Sequence, residues 1–249
     1  MCQLYIFLFM EYRQLSPAET DDLAARILYE DNHLLLINKK AGEIVQGDKT
    51  GDECLTDRCK AFIAARDGKP GKVFVGLPHR LDRPVSGIVV LAKTSKALER
   101  LSAMFREGEV HKTYWALVCA PPREPEGLLE NWMWRHEAMN KSFICAPGKR
   151  RDAKLARLTY RTVGRTDRYT LVEVGLLTGR HHQIRCQLSH IGCPIKGDLK
   201  YEAPRSNPDG GISLHARHIT FIHPVRKTPV DITAPVPSSW KWIPLDNIS

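Results

Sequence analysis

The sequence predicts an α+β fold: a mixed, largely antiparallel sheet with flanking helices. Three observations carry that expectation. Strand-like and helix-like segments are interspersed along the 249 residues without regular βαβ spacing. Residues 156–163 alternate, with Ala156, Leu158 and Tyr160 on one side and Arg157, Thr159 and Arg161 on the other, as in a half-buried strand. Ile88-Val89-Val90-Leu91 is a short unbroken apolar run, which fits a strand covered on both faces.

Taken in order, residues 1–26 read as a lead-in, polar from residue 11 and partly disordered, and residues 27–249 as one domain. Ile27-Leu28-Tyr29, the turn Glu30-Asp31-Asn32 and Leu34 to Ile37 read as strand, turn and strand. Residues 52–67 suit a helix: Asp52 is placed to cap it, Leu55, Cys59, Phe62 and Ile63 share one face, and Gly68 ends it. A second helix follows Thr94, with Ala97, Leu98, Leu101, Met104 and Phe105 as its apolar stripe and Gly108 past its end. Val110 to Val118 is a strand. Pro121 to Gly127 holds three prolines and a glycine and reads as a loop. Residues 169–177 make a strand hairpinned to 156–163 through Thr166-Asp167-Arg168. Helical character returns at 181–191, Pro204 to Gly211 is a loop, and the tail from Ile219 is strand-like.

Composition narrows the class. Lysine and arginine outnumber aspartate and glutamate by 37 to 28, a net charge of +9, which suits a polyanionic partner. Seven scattered cysteines with no secretory signal suit a reduced, cytoplasmic compartment better than a disulfide framework. The run Leu4 to Met10 is too short to span a bilayer and lacks the flanks of a signal peptide, so no membrane role is expected. Either Met1 or Met10 can be the natural start.

The chemistry concentrates in His79-Arg80-Leu81-Asp82-Arg83-Pro84-Val85-Ser86-Gly87. A carboxylate sits between two arginines in a loop that feeds the buried strand. A cationic neighbour there can hold Asp82 ionised as a nucleophile or base. Residue types alone favour a structural ion pair at the strand entrance, and also allow a metal-assisted hydrolase, although no second acid lies near Asp82 in sequence.

This segment resembles the active-site loop of the RluA-type pseudouridine synthases, His-Arg-Leu-Asp-Arg-x-Thr-Ser-Gly, matching seven of its eight defined positions. Val85 stands where threonine is usual. Further segments agree in order. Tyr29 to His33 and Ile37 to Gly42 look like the family's opening strands, with Lys40 in place of proline. His111-Lys112-Thr113-Tyr114-Trp115-Ala116 is similar to its second motif. Leu177-Thr178-Gly179-Arg180-His181-His182-Gln183-Ile184-Arg185 is similar to its third, with His181 in place of threonine. His190 to Asp198 and Leu214-His215-Ala216 complete the set.

The resemblance implies the pseudouridine synthase catalytic fold and isomerisation of specific uridines in structured RNA, ribosomal or transfer. It makes Asp82 the catalytic carboxylate, acting by attack on the sugar or by removing a sugar proton. Arg185 becomes its bidentate partner, and Tyr114 the active-site aromatic. Ile184 is expected under the uracil, Arg83 beside the substrate, and Arg80 in the space left by the extruded base. Fewer than 30 residues precede the first shared strand, too few for an S4 RNA-binding domain, so RNA contacts are expected from the catalytic domain of a monomer. Arg157 and Arg161, within eight cations spread over residues 149–168, are the candidate phosphate contacts. Metal is not expected: Cys186, His190 and Cys193 lack a fourth ligand, and His181-His182 read as loop residues. Breaking a C–N bond and making a C–C bond within one nucleoside needs no redox cofactor or ATP, so no cofactor is expected.

Overall fold

The computed structural model describes residues 12–47, 51–68 and 71–240. The Leu4 to Met10 run and the choice of start lie outside the described residues.

The polar lead-in is not disordered where it is described: Pro17–Arg26 is a helix, α1. Ser16 and Glu19 form a reciprocal capping box and Pro17 takes the first turn, which stops fraying at that end. Leu23 is buried, and Arg26 pairs with Glu43 at 2.9 Å, which also takes Arg58 at 2.7 Å. Lys40, the departure from the family's proline, pairs with Asp22 of the same helix. This segment therefore belongs to the folded domain.

Strands β1 (Ile27–Glu30) and β2 (Leu34–Lys39) form the expected hairpin. The Asp31 carboxylate closes their turn by accepting from the His33 and Leu34 amides at 2.7 and 2.8 Å. Helix α2 (Leu55–Asp67) starts later than expected, with Cys54 at its N-cap, and ends on left-handed Gly68. Asp52 does not cap it; its carboxylate pairs with Arg83 at 2.7 Å. Strand β3 (Ser86–Ala92) is buried along its whole length. Helix α3 (Ser95–Glu107) is capped by Thr94 and closed by Gly108, as its sequence signals indicate.

Strand β4 (His111–Val118) is followed by a hairpin that the sequence reading did not contain. Strands β5 (Glu126–His136) and β6 (Lys141–Cys145) pair from Trp132↔Cys145 to His136↔Lys141. The expected loop at Pro121 to Gly127 therefore ends at Glu126. Strands β7 (Lys154–Arg165) and β8 (Thr170–Leu176), helix α4 (Gln183–His190), and strands β9 (Leu214–Ile222) and β10 (Pro229–Thr233) complete the described α-helices and strands.

One ten-stranded sheet runs β1-β2-β3-β9-β4-β8-β7-β5-β6, with β10 on β9. Among the described strands, only β3 and β9 pair in parallel. The sheet is thus mixed and largely antiparallel. Alternation along β2 and β3 sends Leu35, Ile37, Val89 and Leu91 into a core with α2 and α4. The same alternation sends Leu34, Leu36, Ile88 and Val90 into a second core under α3. Burial on both faces explains why these two strands read as unbroken apolar runs.

Candidate active site

The loop from His79 to Gly87 is fixed at several points. His79 Nε2 accepts from the Val90 amide at 2.9 Å, and its ring stacks on Phe105 at 4.5 Å. Burial and neighbouring Lys112 push the imidazole down to about 3, so it stays neutral and keeps that lone pair. Leu81 and Val85 are buried in the core around Asp82. The Val85 amide donates to the Asp82 carbonyl at 3.0 Å, closing a turn.

Lys39, fully buried, donates from Nζ to the carbonyls of Lys40, Arg83 and Val85 at 2.9, 3.1 and 2.6 Å. Burial lowers the ammonium to about 8, against the pull of Glu43 and Asp82. These backbone anchors hold the loop with valine where the family carries threonine. Gly87 has φ +113, and a Cβ there would lie 2.4 Å from the Ala216 carbonyl oxygen. Only glycine lets β3 approach β9 this closely.

Three separated segments converge at the loop. Asp82 projects from it, about one-third exposed. Arg185, on α4, is 5% exposed and donates from Nη1 to Asp82 Oδ2 at 3.0 Å. The expected pairing is therefore present, but it is not bidentate. The two-toothed grip goes to Asp198: Arg185 Nε and Nη2 reach its two carboxylate oxygens at 2.7 and 2.8 Å. Asp198 is 1% exposed. Burial works against the Arg185 charge, but Asp198 and then Asp82 outweigh it and hold the guanidinium protonated. Asp198 thus aims the arginine and leaves Nη1 to donate to Asp82.

Tyr114, on β4, lies 6% exposed in the same core. Burial, and then the Asp82 charge, push its phenol up and keep it protonated. Its hydroxyl makes no hydrogen bond among the described residues. Ile184, in the first turn of α4, is buried in the same apolar cluster as Tyr114, Leu81 and Val85. Arg80 is exposed, and no ion pair or hydrogen bond engages its guanidinium among the described residues. The loop salt bridge that its sequence position allows is not formed. Arg83 does form one, with Asp52.

Arg157 and Arg161 are not brought to this site. Tyr114 and Tyr160 both register with Val174, so they share a sheet face. Arg161 registers with Glu173, and Glu173 with Trp115, on the opposite face. Both arginines are also engaged, Arg157 with Glu130 at 2.9 Å and Arg161 with Glu173 at 2.8 Å. The sequence reading assigned no role to Asp198, Lys39, His182 or Tyr201. Lys39, His182 and Asp198 do lie within its quoted motifs; Tyr201 does not. His182, at the start of α4, brings Nε2 to 3.4 Å from Asp82 Oδ2. Its Nδ1 lies 3.0 Å from the Tyr201 hydroxyl.

Comparison with known proteins decides what this arrangement belongs to. Residues 33–190 match the family model described as RNA pseudouridylate synthase. The chain belongs to the RNA pseudouridine synthase family. It is 34% identical over 228 residues to the ribosomal large subunit pseudouridine synthase C of Vibrio vulnificus, covering 88% of this chain and 67% of that one. It is 30% identical to the mitochondrial pseudouridylate synthase RPUSD4 of Xenopus tropicalis, covering 88% of this chain and 79% of that one. The chain thus spans about two-thirds or more of the length of these relatives. The solved structure of human RNA pseudouridylate synthase domain containing 4 superposes with a TM-score of 0.76 at 25% identity, over 90% of this chain and 93% of that one. The family consists of RNA isomerases that turn uridine into pseudouridine. The Asp82 loop and α4 through His190 both fall inside the matched region; Asp198, eight residues beyond it, completes the site.

Proposed function

We propose that this chain, working as a monomer, isomerises uridine in large-subunit ribosomal RNA, with Asp82 as the group that acts on the sugar. The observation that carries the reading is the meeting of Asp82, Arg185 and Tyr114 from three separated segments of one chain. In the net reaction the N1–C1′ bond of the nucleoside breaks and a C5–C1′ bond forms. The C5 proton leaves and N1 gains one, so atoms balance without a cofactor. Asp82, paired with Arg185 at 3.0 Å, supplies the carboxylate oxygen that acts on the sugar. Tyr114, held protonated, offers the detached uracil a flat face and a hydrogen-bond donor. Ile184 gives that base an apolar floor.

Extruding a stacked uridine costs a few kcal/mol. Arg80, exposed and without an ion pair among the described residues, is the side chain suited to fill the vacated stack, and Arg83, three residues on in the same loop and paired with Asp52, is the candidate for a phosphate contact. The Vibrio relative's ribosomal name favours ribosomal over transfer RNA. The described cysteines are free thiols, which suits work in the cytoplasm. Mapping pseudouridine in total RNA from cells with and without the gene tests the target. Loss of a large-subunit site supports the reading, and loss confined to transfer RNA overturns that part of it.

A further inference from the structure

His182 stands in the left-handed region, with φ 52 and ψ 27, immediately before α4. Few side chains accept that backbone, and one held there is worth explaining. Its ring is buried, stacks on His181 at 3.8 Å, and is bracketed by two hydrogen-bonding groups. On one side the Tyr201 hydroxyl oxygen already accepts from the Ser142 amide at 2.8 Å. Its own hydrogen then has two acceptors in reach, His182 Nδ1 at 3.0 Å and the Ser142 carbonyl at 3.4 Å. The imidazole nitrogen is the nearer. On the other side, Nε2 faces Asp82 Oδ2 at 3.4 Å. A carboxylate only accepts, so a lone pair on Nε2 would repel it, whereas an N–H attracts it. Both sides select the same neutral tautomer, with the proton on Nε2.

We propose that His182 is a positioning residue for the reaction. Tyr201 fixes it as the Nε2–H tautomer, and it joins Arg185 in tying down Asp82 Oδ2, leaving Oδ1 as the oxygen that meets the ribose. Arg185 Nη1 reaches the same Oδ2 at 3.0 Å. No described residue donates to Oδ1. The Arg185 hydrogen bond and the longer 3.4 Å electrostatic approach of the His182 N–H act on the same oxygen, which restrains rotation of the carboxylate about its terminal bond and presents the other oxygen in one direction. Burial, and then neighbouring Arg185, push the His182 ring down to about 2, which keeps it neutral in this role. The inference rests on the reading of Asp82 as the catalytic group.

Two measurements test it. The first is ¹⁵N NMR of histidine-labelled protein. Wild type should show His182 as the Nε2–H tautomer, and Tyr201→Phe should show a mixture of tautomers. An Nδ1–H signal in wild type would overturn the proposal, even if every variant failed to fold. The second is the single-turnover rate of tritium release from ribosomal RNA carrying 5-[³H]uridine. His182→Leu should lose roughly 10-fold in rate, less than a full hydrogen bond to a charged group would supply, with KM unchanged. His182→Gln, whose amide can still donate to Oδ2, should recover most of that loss. A wild-type rate in His182→Leu, or equal losses in the leucine and glutamine variants, would overturn it. No release from wild type on any RNA would instead strike the reading of Asp82, and the tautomer signal would still stand.

Discussion

Replacing Asp198 with asparagine removes the charge that aims Arg185. In the native site, Arg185 Nε and Nη2 meet the two Asp198 oxygens at 2.7 and 2.8 Å, with Arg185 5% and Asp198 1% exposed. An asparagine can accept only one of these N–H groups, and its own amide N–H groups would confront the other. Breaking one side of such a buried pair costs about 3–5 kcal/mol. For a chain of this size that corresponds to a fall in melting temperature of roughly 6–20 °C. The activity should fall further than the stability implies. An Arg185 released from Asp198 can turn its freed N–H groups on Asp82 and occupy both carboxylate oxygens. Thermal melts report the first effect. Tritium release below the new melting temperature, at saturating RNA, reports the second. A variant that melts within about 2 °C of wild type and turns over normally would refute the claim that Asp198 organises the site.

Other perturbations follow from the same geometry. Arg185→Lys should retain some activity over Arg185→Met in single-turnover assays. A single ammonium keeps the charge but cannot span Asp198 and Asp82 together. The salt dependence of RNA affinity should separate the two faces of the sheet. Arg80→Gln removes a cation that no described residue neutralises from the RNA-facing loop, and should flatten the log–log slope by up to about 0.7 to 0.9, the value of one full phosphate contact. The Arg157→Gln/Arg161→Gln pair should change it less, because Glu130 and Glu173 already neutralise those guanidinia on the far face. Stability should decline as pH falls from 6.5 towards 3. The unfolded chain protonates His79 near 6.5, whereas the folded state resists until about 3, so over that window the unfolded state binds more protons. Denaturant melts of His79→Gln across that range should show a shallower acid decline than wild type.

Much of this site is visible in the chain before any coordinates. The Asp82 loop, Tyr114 and Arg185 each sit in a short contiguous segment that a motif can carry. At Gly87 a larger side chain is barred, because its neighbour is another strand's backbone. What sequence reading missed has identifiable causes. Helix α1 carried its signal openly in Ser16-Pro17-x-Glu19, but polar residues around it suggested a disordered segment. The β5–β6 hairpin lacks clean alternation, because Trp132, Met133 and Trp134 run together while packing on different faces. Asp52 looked like a helix cap from its spacing and is instead the partner of Arg83. The bidentate grip of Arg185 was expected on Asp82, because nothing in one dimension shows that Asp198 reaches the same guanidinium. Arg157 and Arg161 were chosen for charge density. Strand parity alone puts them opposite Tyr160, and register across β8 and β4 then puts them opposite Tyr114.

The measurement that most directly tests the account is tritium release from 5-[³H]uridine-labelled ribosomal RNA by wild type and by Asp82→Asn. An amide can neither attack the sugar nor take its proton, yet it fits the same space. The account predicts release by wild type and none by the variant, with RNA affinity and melting temperature close to unchanged. Release by Asp82→Asn at a rate near wild type would contradict it.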